Sequence, residues 1–322
     1  MSDTYTSVFA PYIAGLIAVK RASGYSYESA EYQLKRFDVY CAGGSPSSVL
    51  FRDLVLGWAT ARDREDPAAH RVRQSVVREL GKYMQALGIR DAFVLPSALH
   101  RKIERYVPHF FTKEEIIAFF RTCDSLKPHG TTHVGHLVLP VFFRLLYCCG
   151  LRTCEARRLL VEEVDLSHGA ITVLGSKRRS SRKVPIAQDL LRLLRSYDTR
   201  ISSIYPGRIY FFPTTRAECY KRASVGPAFR RIWNAANLPM GSGNRPRAYD
   251  FRHHFALANL NRWIASGVDV GSRLPYLSRY MGHSSFESTD YYLHLVPEFF
   301  QTFSEKLRPT EAILPEVDDG RQ

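Results

Sequence analysis

An apolar period suited to helices runs from about Ser7 to Arg90, breaks between Asp91 and Phe111, and resumes at Thr112. Inside the break, Pro96 and Pro108 interrupt any helix, and His100, Arg101, Lys102 and Arg105 add positive charge. A chain interrupted in this way reads as two modules joined by a basic linker, and 322 residues leave each module long enough to bury its own core. The expected bounds are a helical module over 1–92, a linker over 93–111, a second domain over 112–308 and a tail over 309–322, whose acidic end from Glu316 reads as frayed.

In the first module Ala30, Leu34, Phe37 and Cys41 recur at i, i+4, i+7 and i+11 and share one helix face. A second stripe, Val72, Val76, Leu80, Tyr83 and Leu87, is backed by Arg71, Arg73, Arg78 and Lys82 and stopped by Gly88. The pattern is that of a small helical bundle with a basic face. Such charges either solvate a helix or contact phosphates, and the stripe alone favours solvation.

The second module opens on a capping box, Thr112-x-x-Glu115, with Phe111 placed to staple onto Ile116. A helix through Val138 to Cys149 stops at Gly150, and another is expected from Thr153 to about Val164. The period then changes to two. Ala170–Leu174 and Arg182–Ile186 read as strands joined by a polar tip from Gly175 to Ser181, and helical segments follow from Asp189 to about Leu307. The expected fold class is therefore mainly α with a small β-sheet.

Lys and Arg total 45 against 31 Asp and Glu, a net charge of +14 that points to a polyanionic partner, nucleic acid first. A membrane would also attract that charge, but no apolar run reaches spanning length and no charged-then-apolar leader opens the chain, so the expected location is cytoplasmic. The six cysteines lack the paired C-x-x-C spacing of a zinc site and read as reduced, mostly buried thiols; no metal is expected.

Four stretches in order carry a resemblance: Gly150-Leu-Arg-Thr-Cys-Glu155, Tyr249-Asp-Phe-Arg-His253, Met281-Gly-His-Ser-Ser285 and Thr289-Asp-Tyr-Tyr-Leu-His294. They resemble the tyrosine recombinase, or phage integrase, family, in which an Arg follows Gly-Leu, a second Arg lies in His-x-x-Arg-His, and Gly-His precedes Tyr-x-His by a short helix. Singly each motif is weak; together and in order they are specific. The resemblance covers Thr112 to Leu307 and, more loosely, the first module, which looks like the family's helical, SAM-like core-binding domain joined to an α+β catalytic domain. It implies a site-specific DNA recombinase or integrase of a mobile element that cuts and rejoins strands through a 3′-phosphotyrosyl intermediate, with no cofactor, ATP or metal. It also implies a double-stranded DNA recombination site as partner, a homo-tetramer on paired sites, and other recombinases or accessory DNA-bending proteins as further partners. The helical pattern starts within about ten residues of Met1, which leaves no room for an added arm-binding domain.

The residue types suit that chemistry. A phosphodiester under attack gathers negative charge on its non-bridging oxygens, and Arg152 and Arg252 offer planar forks that never deprotonate; the alternative for either is a surface salt bridge, and the joint pattern favours the clamp. Glu155, three residues after Arg152, is close enough on a helix to orient its guanidinium or is a plain surface carboxylate. Lys177 lies eight residues before Pro185 and by resemblance is the general acid for the departing 5′-oxygen. Alternatively, Lys177, Arg178, Arg179, Arg182 and Lys183 all contact phosphates. His283 stands where the family's second histidine donates to the phosphate. Of the adjacent Tyr291 and Tyr292, which point about 100° apart on a helix, only Tyr292 fits Tyr-x-His, and it is the expected nucleophile. Tyr249 departs from the pattern, replacing the family's first histidine with a neutral phenol.

Two other readings stay open on the sequence: a type IB topoisomerase, which uses a similar constellation without a chosen site, and a DNA-binding regulator that has lost catalysis. Beyond Tyr292, Phe299, Phe300, Phe303 and Leu307 form an apolar face that the resemblance would dock on a neighbouring protomer, or that packs on its own domain.

Overall fold

The structure is a computed structural model of the chain, and the residues it describes are 5–43, 49–63, 65–97, 107–128, 134–174, 181–239, 245–283, 289 and 291–292. The chain divides into two units, residues 1–105 and 106–322. In the first, α1 (Ala10–Ala22), α2 (Glu28–Ala42), α3 (Arg52–Ala59) and α4 (Pro67–Ala86) are α-helices. Asp38 on α2 is buried and accepts from the Ser7 N–H and hydroxyl and from the Thr6 N–H, which ties the start of α1 to α2. Asp66 caps α4, accepting from the N–H groups of Ala68 and Ala69, and Pro67 is its first residue.

Leu34, Phe37 and Cys41 are buried as the α2 stripe requires, and Ala30 packs against them. The α4 stripe needs correcting. Val72 and Leu87 are exposed, while Val76, Val77, Leu80 and Met84 line the core, each such buried side chain worth about 1.5–3 kcal/mol. Arg73, expected on the solvated DNA-binding face, is 1% exposed. Its Nε and Nη2 donate to Glu65 at 2.8 and 2.6 Å, Nη2 also reaches the Thr60 carbonyl, and the guanidinium lies 5.2 Å from the centroid of Trp58. Pairing with Glu65 over an aromatic face outweighs hydration of this one charge. Arg71 and Lys82 are exposed, Lys82 beside Glu79; Arg78 spends Nε and Nη2 on the carbonyls of Leu95 and Pro96. Of the segment read as a linker, Leu95 is buried in this core with Phe93 against it, and Phe111 is buried in the core of the second unit.

The second unit contains the expected capping box. Thr112 caps α5 (Lys113–Asp124) with the reciprocal Glu115 bond, and Phe111 and Ile116 both join the core. Then come α6 (Gly135–Cys149), α7 (Thr153–Arg157), a 3₁₀ turn (Val161–Glu163) and the strands β1 (Val164–Asp165), β2 (Ala170–Val173) and β3 (Arg182–Pro185). The helix expected to reach Val164 ends at Arg157 instead. Its continuation pairs with a distant segment: Leu159 O accepts from Phe211 N–H at 2.8 Å, and Val161 N–H donates to Ile209 O at 3.0 Å. The sheet is antiparallel in the order β1-β2-β3, and Val173 stands opposite Arg182 at the mouth of the hairpin.

The helices α8 (Gln188–Ile204), α9 (Arg222–Ala235), α10 (Asp250–Ala265) and α11 (Val270–Met281) complete the described unit. Phe111, Phe119, Phe229, Trp233 and Phe251 form its aromatic centre, with Phe111 and Phe251 centroids 4.9 Å apart. Ala256, Leu260, Leu274, Leu277 and Met281 build a smaller core between α10 and α11, and Tyr292 packs into it. All six cysteines are free, but only Cys41, Cys123 and Cys149 are buried; Cys148 and Cys154 are exposed, contrary to the expectation of mostly buried thiols. Cys148 and Cys149 are neighbours on α6 and point about 100° apart, Cys149 into the core and Cys148 outward. Among the described residues no helix is long and apolar enough to cross a membrane.

Candidate active site

Two glycines build the site. Gly150 ends α6 in the left-handed region at φ 58°, and a Cβ there would fall 2.6 Å from the Phe255 ring, so only glycine lets α6 approach α10 this closely. Gly282 ends α11 in the same way at φ 65°, and its Cβ would meet Nη1 of Arg182 at 2.7 Å and Nη1 of Arg152 at 3.4 Å. The carbonyls at these two helix ends lack intrahelical donors and carry partial negative charge. Arginines satisfy them. Arg252, on the first turn of α10 and 1% exposed, donates from Nη1 to Gly150 O at 2.7 Å and from Nη2 to Met281 O. Arg152 donates from Nη2 to Gly282 O at 2.7 Å.

Glu155 sits between two guanidinium groups. Its Oε1 accepts from Nη1 of Arg152 at 2.9 Å and from Nη1 of Arg182 at 3.0 Å; its Oε2 accepts from Nη2 of Arg182 and the Arg152 backbone N–H, both at 2.8 Å. Burial alone would raise its pKa, but the bonds and charge of Arg182, then those of Arg152, hold it below the ordinary carboxylate value. Glu155 is therefore no plain surface carboxylate. Arg182, expected among the DNA-contacting charges of the hairpin, is instead folded inward at its base.

His283 follows Gly282 directly and shares a hydrogen bond between Nδ1 and the hydroxyl of the fully buried Thr289 at 2.8 Å. Its ring stacks against that of Tyr292, centroids 6.0 Å apart and planes 14° from parallel. The Tyr292 side chain is buried, and burial pushes its phenol up to about 12, with Arg252 pulling the other way. Burial, then Arg252, Arg152 and Arg182, push the His283 imidazole down to about 4. At neutral pH the site thus holds fixed cations, a neutral imidazole and a protonated phenol, a set whose net charge favours an anion.

His253, the last residue of the second motif, lies among three tyrosine rings. Its ring lies 5.6 Å from Tyr292, 5.8 Å from Tyr291 and 5.1 Å from Tyr249, and burial and then Arg247 and Arg252 push it down to about 4. The signal was the i, i+4 spacing from Tyr249, which puts both on one helix face. Tyr249 occupies the position before α10 and is 37% exposed. Tyr291 is partly buried and packs into the α10–α11 core. Lys177, Arg178 and Arg179 lie outside the described residues, as do His294 and the apolar stretch ending at Leu307. Arg71, Arg73, Arg78 and Lys82 belong to the other unit.

The model of the phage integrase family matches residues 109–298, more than half of the chain. The chain is 26% identical over 307 residues to y4rB of Sinorhizobium fredii, a protein named for an integrase/recombinase, covering 94% of this chain and 97% of that protein. It is 26% identical over 257 residues to the tyrosine recombinase XerC of Chlorobaculum parvum, covering 72% of this chain and 70% of that protein. Its fold is similar to that of the Tn1549 transposon integrase in complex with transposon right end DNA, at TM-score 0.64 and 15% identity over 94% of this chain and 99% of that chain. The XerH site-specific recombinase bound to palindromic difH substrate is similar at TM-score 0.63 and 17% identity, over 86% of this chain and 78% of that chain. The ordered motifs, the mainly helical fold with its small sheet and the family match agree: the chain belongs to the phage integrase family, the tyrosine recombinases, enzymes that cut and rejoin DNA strands through a phosphotyrosyl intermediate.

Proposed function

We propose that Tyr292 is the nucleophile of this recombinase and that Arg152, Arg252 and His283 hold the scissile phosphate. The observation that carries the proposal is convergence: residues 150–155, 252, 281–283 and 292, far apart in sequence, meet at the paired ends of α6 and α11. In the proposed reaction a phosphate enters against the guanidinium groups, the phenol of Tyr292 gives up its proton to water as its oxygen attacks phosphorus, a 3′-phosphotyrosine forms, and the bond to the 5′-oxygen breaks as that oxygen takes a proton from Lys177. Glu155 orients Arg152. Tyr249 donates a hydrogen bond to a phosphate oxygen without adding charge.

The fold shared with a transposon integrase supports work on a mobile element, and the solved relatives bound to DNA support a duplex recombination site as partner. Acting as a homo-tetramer on paired sites, with accessory DNA-bending proteins or other recombinases, in the cytoplasm, belongs to the same proposal. So do the bounds of a helical core-binding domain over 1–92 and a catalytic domain over 112–308. Arg71, Arg78, Lys82, Arg178 and Arg179 are the proposed phosphate contacts; Arg73 is withdrawn from that set by its burial.

Covalent trapping tests the assignment. A nicked duplex recovered from a random-sequence pool by trapping on the wild-type chain should give no adduct with Tyr292→Phe and a normal adduct with Tyr291→Phe. Lys177→Ala should cleave it slowly and recover when the leaving oxygen is replaced by sulfur, which departs unprotonated. An adduct on Tyr292→Phe ends the nucleophile assignment, and absence of sulfur rescue leaves Lys177 a binding residue.

A further inference from the structure

We infer that Arg182 is a positioning residue that takes up the charge of Glu155 and so keeps the guanidinium of Arg152 available to the scissile phosphate. The inference rests on the site reading above and gives Arg182 a part other than DNA contact.

Accessibility separates the two arginines that share the carboxylate. The Arg182 side chain is 9% exposed and that of Arg152 is 30% exposed. Nη1 and Nη2 of Arg182 are both spent on Glu155, and its Nε is buried. Of the two arginines that share Glu155, Arg152 is the more accessible to an approaching phosphate.

Charge gives the arrangement a purpose. One carboxylate flanked by one guanidinium is a neutral pair whose cation is tied down; flanked by two, it leaves a net positive charge, and that charge sits on the more accessible partner. Arg182 makes the bidentate bond to Glu155, whereas the Arg152 side chain gives it a single bond at 2.9 Å and turns its other arm to Gly282 O. Without Arg182, the planar fork of Arg152 would close on Glu155 as a bidentate pair and let go of Gly282, the residue before His283. Arg182 also pairs with Val173 at the hairpin mouth, and its Nη1 lies 2.7 Å from where a Gly282 Cβ would stand, so it links the hairpin base, the start of α7 and the turn that carries His283.

The test uses the full chain and the trapped suicide duplex described above. At saturating DNA, Arg182→Gln should slow single-turnover adduct formation by about 100-fold, the scale of an ångström-sized misplacement of a reacting group. Its DNA affinity and the salt dependence of that affinity should match wild type. Glu155→Gln added to Arg182→Gln should recover part of the rate, because the carboxylate that would capture Arg152 has lost its charge. If Arg182→Gln does not fold, Arg182→Lys carries the test: it keeps the charge and one bond, and should stay within about 10-fold of wild type. Weakened binding with a salt slope shallower by about 0.9 and an unchanged rate at saturation would make Arg182 a phosphate contact and overturn the inference. A double variant no faster than Arg182→Gln would overturn it as well. An adduct from Tyr292→Phe in the same assay would instead defeat the underlying site reading, so the two failures are distinguishable.

Discussion

Replacing Gly282 with alanine adds one methyl group at the point where Arg152, Arg182 and the turn before His283 come together. Two costs follow from the geometry. At φ 65° an alanine sits in the left-handed region, at about 1–2 kcal/mol relative to glycine. Its Cβ would also stand 2.7 Å from Nη1 of Arg182, a contact that real Cβ atoms do not tolerate, and the largely buried guanidinium has to give up a bond to Glu155 to relieve it. A hydrogen bond between charged groups contributes about 1.5–3 kcal/mol. Together the loss is about 2.5–5 kcal/mol, which lowers the Tm of a unit this size by about 5–20 °C. Gly267→Ala is the control, since Gly267 has nearly the same φ, 66°, and nothing within 4 Å of its Cβ position. It should lose only the conformational part, about 2–8 °C. Thermal unfolding of both variants, with single-turnover adduct formation on the suicide duplex, reads the difference. Gly282→Ala should cleave about 10- to 100-fold more slowly and Gly267→Ala at the wild-type rate. Equal losses of stability in the two variants, with unaltered cleavage in both, would refute the claim that close approach to the arginines is what fixes glycine at 282.

Arg73→Ala should destabilise the first unit by about 3–5 kcal/mol, because it strands Glu65, whose pKa is held at about 2 chiefly by its hydrogen bonds to Arg73 against the opposing effect of burial; urea unfolding measures it, and weaker DNA binding with unchanged stability would restore Arg73 to the DNA contacts. His283 and His253 each titrate near 4 in the folded chain against about 6.5 unfolded. The unfolded chain therefore binds more protons between those values, and stability should fall as pH drops through that window, by at most about 1.4 kcal/mol per pH unit for each histidine. His283→Gln should flatten the Tm–pH curve there, and an unchanged slope would count against its burial as a neutral imidazole. Tyr249→Phe should slow cleavage by about 100-fold with little change in affinity, while Tyr249→His should stay active with a new pH dependence near 6.5. Equal rates for wild type and Tyr249→Phe would remove Tyr249 from the site.

Features with a local cause were legible in the sequence. The Thr112 box, the Gly150 stop and the two long strands depend on side chains within a few residues of the backbone they cap or pair, so periodicity and spacing find them. The order of the four motifs pointed to the family and, with it, to the residues of its site. The failures share a different cause. The helix after Thr153 is cut short because Leu159 and Val161 pair with Phe211 and Ile209, some fifty residues later. The α4 stripe shifted from Val72 and Leu87 to Val77 and Met84 because the second face is set by what α1, α2 and α3 present to it.

By itself the sequence determined the kind of chemistry: which residue types are present, in what order, and that fixed cations, a histidine and a phenol are on hand for a phosphodiester. Tertiary structure decided which cation does what. Arg73 and Arg182 cannot be told from Arg71 and Arg178 by composition or spacing, since all are arginines in basic, polar stretches. Their parts differ because Trp58 and Glu65 close over one and Glu155 takes the fork of the other. A charge's role is set by the balance between its hydration and the partners that replace water, and those partners are brought to it only by folding.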